Sequence, residues 1–381
     1  MVLHALPAPE SISLPESDPI VHGLLILAFL VHAVFMNLVV GGTLVTVMTD
    51  AVGIATARAY YRQLATTLAN WLPTFLGVAV VLGVMPLVLV QVLYGSLFAP
   101  TVSLLGDFWI IAFTAAMLGY AGLYGYSHWR GTLAQRPGVQ LTLGLLIAAM
   151  FLGVAFVFVT ASVLMLHPDQ WANLQREGFS SVLSLPSLLP RYGHLMLAAV
   201  AGMGIFLVCY GFFLSGGGQA SSEDEPKGRY ATWVTRYGVA WMLTGTLPQI
   251  VMGPWLLLSL PAFVRADLIS GQSLGSFAFF VALTAALLSL VLLNAALMVP
   301  QSRGLAIGGT FSLAITVCLM VVVRHAVRVS WLSQQYDTAA LSTQGQWDVF
   351  FIVSTMLLLG LGLTVIMVRA HKKRRRVVDL T

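Results

Sequence analysis

The 381 residues are 58% hydrophobic and only 9% charged, with a mean hydropathy of +0.89, whereas a soluble domain carries about 25% charged residues. This composition excludes a disordered chain, a disulfide scaffold and a nucleic-acid binder, and defines an all-α integral membrane protein surrounded by membrane lipid. The net charge of +5 comes largely from one tail, His371-Lys372-Lys373-Arg374-Arg375-Arg376, which reads as a topology signal rather than a nucleic-acid footprint.

Residues 1–18 form an outer N-terminal segment without Lys or Arg, and nothing in it resembles a cleavable signal peptide. Apolar runs follow at approximately 20–48, 71–95, 106–127, 140–166, 191–215, 233–260, 274–299, 304–327 and 348–369. Each is near the roughly 20 residues that a spanning helix needs, so the spacing predicts nine helices. An odd number puts the termini on opposite sides. With the C-terminus inside, only Arg176, Arg191, Arg265, Arg324 and Arg328 fall outside, and the excess of Lys and Arg within predicts N-out, C-in. The segment 169–179 in the longest outer loop is amphipathic and is expected on the outer surface.

The inner linker 216–229, rich in Gly and Ser, is the best internal boundary. It separates residues 19–215, the first bundle with the fifth helix, from residues 230–369, helices six to nine, leaving 370–381 as a basic cytoplasmic tail. Grouped by helix, the expectation is two four-helix bundles plus one. Cys209 and Cys318 both lie in apolar runs and form no CxxC or CxxCH spacing, which argues against c-type haem and Cys-ligated zinc.

Ionisable residues within spanning helices are costly and are functional candidates by default. The acids all fall in loops or at helix ends, Asp50 and Asp107 being the nearest to the membrane interior. What remains at the outer side is a set of cations and imidazoles: His22, His32, Arg191, His194, Arg324, His325 and Arg328. Imidazole is the commonest haem ligand, and a haem's propionates seek cations at the rim of a bundle. Arg191 and His194 are three apart, as are His325 and Arg328, so each pair shares a helix face. His32, His194 and His325 are therefore the candidate iron ligands, with Arg191, Arg324 and Arg328 as cofactor-binding partners. The alternative is that these histidines only hydrogen-bond across helices. His22 reads as a solvated end residue and His167 as a loop residue, while Met side chains such as Met85, Met117, Met150 and Met165 read as packing.

The string His32-Ala-Val-Phe-Met-Asn-Leu-Val-Val-Gly41, running on to Asp50, Arg58, Tyr61 and Arg62, resembles the first helix and following loop of subunit I of the cytochrome bd quinol oxidases. Arg191-Tyr-Gly-His194, with Ala198 and Phe206, is similar to that family's fifth helix and its low-spin haem histidine, and residues 70–94 and 118–126 resemble its second and third helices more loosely. The resemblance implies haem b, one to three per chain, a quinone, and a second membrane subunit of the subunit II type. Departures accompany it. Ser276-Phe-Ala-Phe-Phe280 has no Met where the family has its second low-spin ligand, and the third helix offers Trp109 and Met117, with only Asp107 near, where the family has carboxylates. The long quinol loop is reduced to 261–273, in which Arg265 and Asp267 are the only polar pair to nominate for substrate, and the Gly-Arg-x-Pro-Trp signature is lost. Arg324-His325-Ala-Val-Arg328-Val-Ser-Trp331 aligns with the segment whose Glu ligates a high-spin haem, so that His325 would stand in for that Glu.

Oxygen reduction consumes protons and so calls for acids at depth, whereas electron transfer between haems does not. The expected function is a haem b subunit of a respiratory complex in a bacterial or archaeal cytoplasmic membrane. It would pass electrons between the quinone pool and an outer-side redox partner such as a c-type cytochrome. A bd-like terminal oxygen reductase and a haem-free anchor or transporter stay open as alternatives.

Overall fold

In a computed structural model, described over residues 19–215, 226–299 and 302–333 and at single positions between 351 and 362, every element is helical. In chain order these are α1 (Pro19–Thr56), α2 (Ala59–Leu104), α3 (Gly106–His128), α4 (Arg130–Leu133) and α5 (Pro137–Leu164). A 3-10 turn (Pro168–Gln170) leads to α6 (Trp171–Glu177), α7 (Ser180–Leu183) and α8 (Leu188–Leu214). Then come α9 (Pro226–Thr246), α10 (Gln249–Leu258), α11 (Ala262–Ile269), α12 (Leu274–Met298) and α13 (Arg303–Ser333). With no water in a bilayer core, such apolar segments satisfy their backbone only as helices. Side-chain hydroxyls follow the same rule: in α1, Thr43, Thr46 and Thr49 each donate to the carbonyl four residues back, at 2.7, 2.7 and 2.5 Å.

Seven helices are long and apolar enough to span a membrane, and α9 with α10 and α11 makes an eighth, bent by 120° before α11. The expected sixth helix, 233–260, is interrupted at Leu247-Pro248, and the 120° bend falls at its end, before Pro261; at each place proline removes a backbone donor. The ninth run, 348–369, lies outside the described residues except for isolated helical positions. Several boundaries differ from those expected, among them the end of the second helix at Leu104 rather than 95 and that of α13 at Ser333 rather than 327. The first helix continues past residue 48 to Thr56, the second begins at Ala59 rather than 71 and runs 46 residues, and the sixth begins at Pro226, inside the expected linker. α2 keeps three prolines, Pro73, Pro86 and Pro100, and departs from helical angles only at Tyr94 (φ −135°, ψ 26°).

Packing falls into two four-helix groups, α1–α2–α3–α5 and α8–α9–α12–α13, joined chiefly where α1 crosses α8. Both main contacts of α8 are made by glycine. A Cβ on Gly41 would come within 2.0 Å of the Ala199 carbonyl oxygen, so α1 and α8 touch backbone to backbone. On the other side of α8, a Cβ on Gly204 would lie 2.5 Å from Met242 N, one on Gly238 2.8 Å from Val208 N, and one on Gly245 2.5 Å from Ala201 N. Such small-residue contacts let dispersion hold helices together where lipid supplies no hydrophobic drive.

The segment 169–179 turns one side inward and leaves the other exposed. Trp171 and Leu174 are buried, and Trp171 Nε1 donates to the Leu164 carbonyl at 3.0 Å, so α6 is fastened to the end of α5 rather than lying loose on a surface.

Candidate functional site

The start of α1, the Tyr94 region of α2, the start of α8 and the far part of α13 share one end of the molecule, and there the nominated residues gather. The His325 ring packs edge-on against His22, centroids 4.9 Å apart, and His22 also faces Tyr94 at 6.4 Å. Arg324 stands 4.1 Å above the centre of the Phe29 ring, and Arg328 stands 5.2 Å from that of Tyr94. Arg191 is near enough to sense the charges of both Arg324 and Arg328. Arg328 is buried, at 6% exposure, and Arg191 Nε is buried with no hydrogen-bond partner. Among the described residues no acid forms an ion pair with any of these three arginines. Guanidiniums withdrawn from water without an anion cost several kcal/mol each, so this cluster is built to receive negative charge.

His32 lies deeper in α1. Its Nδ1–H donates to the Ala79 carbonyl at 3.0 Å, which leaves the lone pair on Nε2. Gly83, one turn further along α2, makes room for the ring: a Cβ there would lie 2.7 Å from His32 Cε1. An imidazole whose second nitrogen is oriented by a carbonyl is the usual arrangement of a metal-bound histidine. His194, one turn inside α8 from Arg191, has a buried Nδ1 with no partner among the described residues. Met252 of α10 lies against the preceding Gly193, its sulfur 3.2 Å from where a Cβ on that glycine would stand. No group of three or more His, Cys, Asp or Glu side chains among the described residues could hold a bare metal ion. The donor set therefore suits a cofactor that brings its own equatorial ligands. Orphaned imidazole nitrogen at His194, oriented imidazole at His32 and acid-free guanidiniums at the rim all fit haem b.

Two residues of this end were not legible in the sequence as site residues. His22, expected to be solvated, packs into the cluster through His325. His167, expected to be a plain loop residue, has a buried Nε2 without a partner, packs edge-on to Trp331 at 4.9 Å and sits 3.9 Å from Asp169. Burial, with the positive charge of Arg191, holds its pKa below the ordinary 6.5 against the opposing effect of Asp169.

The nominated substrate pair does not assemble. Arg265 and Asp267 are two apart on α11 and so point away from each other. Arg265 Nη1 donates to the Leu258 carbonyl at 2.8 Å, while the Asp267 side chain is exposed.

Among the described residues, the other end of the bundle holds the one acid buried inside a spanning helix. Asp50 is 3% exposed and forms a two-point ion pair with Arg130, the Nη1 to Oδ2 contact being 2.7 Å, and it also accepts the Tyr126 hydroxyl. The sequence reading placed Asp50 at a helix end; α1 continues six residues beyond it. Held by Arg130 and Tyr126, this carboxylate fastens α1 to α3 and α4.

Fold and site together define an all-α multi-pass membrane protein. Among solved structures, a chain of the bd oxidase from Geobacillus thermodenitrificans has the same fold, with a TM-score of 0.71 at 13% identity, covering 96% of this chain and 99% of that one. The resemblance seen in the first and fifth helices thus extends to the whole architecture. No protein-family model and no curated protein sequence matches the chain.

Proposed function

We propose that the protein is a haem b subunit of a respiratory membrane complex, passing electrons between the quinone pool and a redox partner such as a c-type cytochrome at the outer face. The observation that carries this reading is the end cluster in which Arg324 and Arg328 lie near the paired imidazoles of His22 and His325 and Arg191 lies near both arginines, with no ion pair to an acid among the described residues. Bound haem supplies one-electron chemistry. The chain's part is to hold it: His32, His194 and His325 offer imidazole nitrogen, and the three arginines neutralise propionates. Long apolar helices exclude water from the ligands, and a low-dielectric site with fixed cations favours the electron-rich state of whatever it binds.

The fold shared with a bd oxidase chain supports a respiratory setting. The tying of Asp50 to Arg130 favours electron transfer over oxygen reduction, because no other acid of the described residues lies buried inside a spanning helix. A quinone site and a second membrane subunit of the subunit II type belong to the same proposal, as do the N-out orientation and a bacterial or archaeal cytoplasmic membrane. Reduced-minus-oxidised absorbance of the purified protein tests it, and absence of a haem b signal sinks it. His194→Ala should remove one haem from that spectrum. Carbon monoxide separates the two haem readings: a haem closed by two axial ligands does not take it up, whereas the five-coordinate haem of a terminal oxidase does.

A further inference from the structure

At the end of the bundle away from the arginine–histidine cluster, the close of α8 and α12, the first half of α9 and the opening turn of α13 line a partly open cavity of about 150 Å³. That is well beyond the ~10–15 Å³ a single water needs. Its walls are of two kinds. Phe212, Val239, Ala296 and Ala306 form an apolar side, and Thr232, Ser302, Arg236 and Arg303 a polar one. None of the lining residues is an acid.

The polar side has unused capacity. Among the described residues, Arg236 and Arg303 make no hydrogen bond or ion pair, and the hydroxyls of Thr232 and Ser302 have no partner. The two remaining hydroxyls are committed elsewhere: Thr235 donates to the Ala231 carbonyl at 3.0 Å and Ser215 to the Phe212 carbonyl at 2.9 Å. Both arginines are exposed side chains that line the same space, and an anion between two guanidiniums offsets their mutual repulsion. The first turn of α13, which begins at Arg303, adds the positive end of a 31-residue helix. A free inorganic anion would use the polar wall and leave the apolar one idle. An amphiphile uses both. The flanking side chains Phe213, Met298 and Ile307 are exposed hydrophobics, as expected of surface that meets acyl chains.

We propose that this cavity binds an anionic phospholipid. Its phosphate lies between Arg236 and Arg303 and accepts from Thr232 and Ser302, with an acyl chain along Phe212, Val239, Ala296 and Ala306. Basic pockets between spanning helices recognise lipid headgroups in this way. Such a lipid would clamp the α8–α9 pair to the α12–α13 pair at the end where the chain between residues 215 and 226 connects the first of them. The inference is independent of haem.

The test uses the full chain, purified in detergent, stripped of lipid and titrated by native mass spectrometry with phosphatidylglycerol, phosphatidylcholine or inorganic phosphate. Phosphatidylglycerol should bind at least roughly tenfold more tightly than phosphatidylcholine, and R236Q/R303Q should erase that preference, at about five- to tenfold per arginine. Equal binding of the two lipids by the natural protein, or an unchanged preference in the double variant, overturns the proposal. Displacement of phosphatidylglycerol by an equal concentration of inorganic phosphate overturns it in favour of a free-anion site. Should the double variant not fold, Val239→Phe fills the apolar wall and leaves both charges in place. Loss of phosphatidylglycerol binding in that variant supports the assignment, and full retention overturns it.

Discussion

Asp50 and Arg130, eighty residues apart in the chain, meet as a buried two-point ion pair that Tyr126 completes from a third direction. Removing one partner strands a charge in an apolar surrounding, which costs about 3–5 kcal/mol. Asp50→Asn and Arg130→Gln should each lower the unfolding midpoint in detergent by a margin of that order, and Tyr126→Phe by about 1 kcal/mol. The double variant D50N/R130Q should lose less than the two single losses added, because neither charge is then left alone. Strict additivity in this cycle would remove the pair from any account of stability.

The room that Gly83 makes for His32 is measurable. In Gly83→Ala the new methyl, 2.7 Å from Cε1, must displace the ring from its bond to the Ala79 carbonyl. With haem on His32, the variant should lose or shift one component of the reduced-minus-oxidised spectrum while its far-ultraviolet circular dichroism is unchanged. A spectrum identical to that of the natural protein would exclude His32 as a ligand.

Gly238 and Gly153 separate packing from propensity. A Cβ on Gly238 would meet Val208 N at 2.8 Å and the Gly204 carbonyl at 2.9 Å, both backbone atoms that cannot rotate away, whereas a Cβ on Gly153 meets nothing within 4 Å. Gly238→Ala should destabilise by about 1–3 kcal/mol through overpacking. Gly153→Ala should change the unfolding free energy by less than about 1 kcal/mol, in the stabilising direction. Thermal unfolding of both variants in one detergent provides the comparison.

His167 gives the protein an acid-sensitive element outside its spanning segments. Its folded pKa lies below 6.5, burial being the main cause, so the unfolded chain binds the proton more readily. Stability from this residue is complete above pH 6.5 and falls as the pH drops from 6.5 toward the lower folded value. Asp169 opposes the shift and Arg191 reinforces it, while Trp331 covers the ring. His167→Phe should therefore show a smaller loss of unfolding temperature between pH 7.5 and about pH 5 than the natural protein does. An equal loss in both would place the acid sensitivity elsewhere.

How far the sequence reached can be seen residue by residue. The helices themselves were legible because the scarcity of charge and the length of the apolar runs leave few alternatives to spanning helices, and His32 and His194 stand out because imidazole is rare in such runs. His22 could not be read. Its significance comes from meeting His325, some three hundred residues away, and spacing along one helix does not reveal which helix ends converge. The long start of α2 was missed for a related reason. Arg62, Gln63 and Asn70 look like loop residues by polarity, yet Arg62 Nε donates to the Gly53 carbonyl at 3.2 Å and Asn70 accepts from Ser127 at 2.8 Å, so these polar groups are satisfied on the helix. The interruption at Pro248 was visible as a proline but not as a break, because proline within a membrane helix is as often absorbed, as α2 does three times.

At about 1.5 Å per residue, α2 runs roughly 52 Å from Ala59 to its kink at Tyr94, well beyond the ~30 Å of a hydrocarbon core. It is therefore a mast as much as a span. A rod longer than the core it crosses is a lever with its fulcrum in the bilayer, and a small change of tilt where Gly83 faces His32 becomes a larger sweep at the Ala59 end.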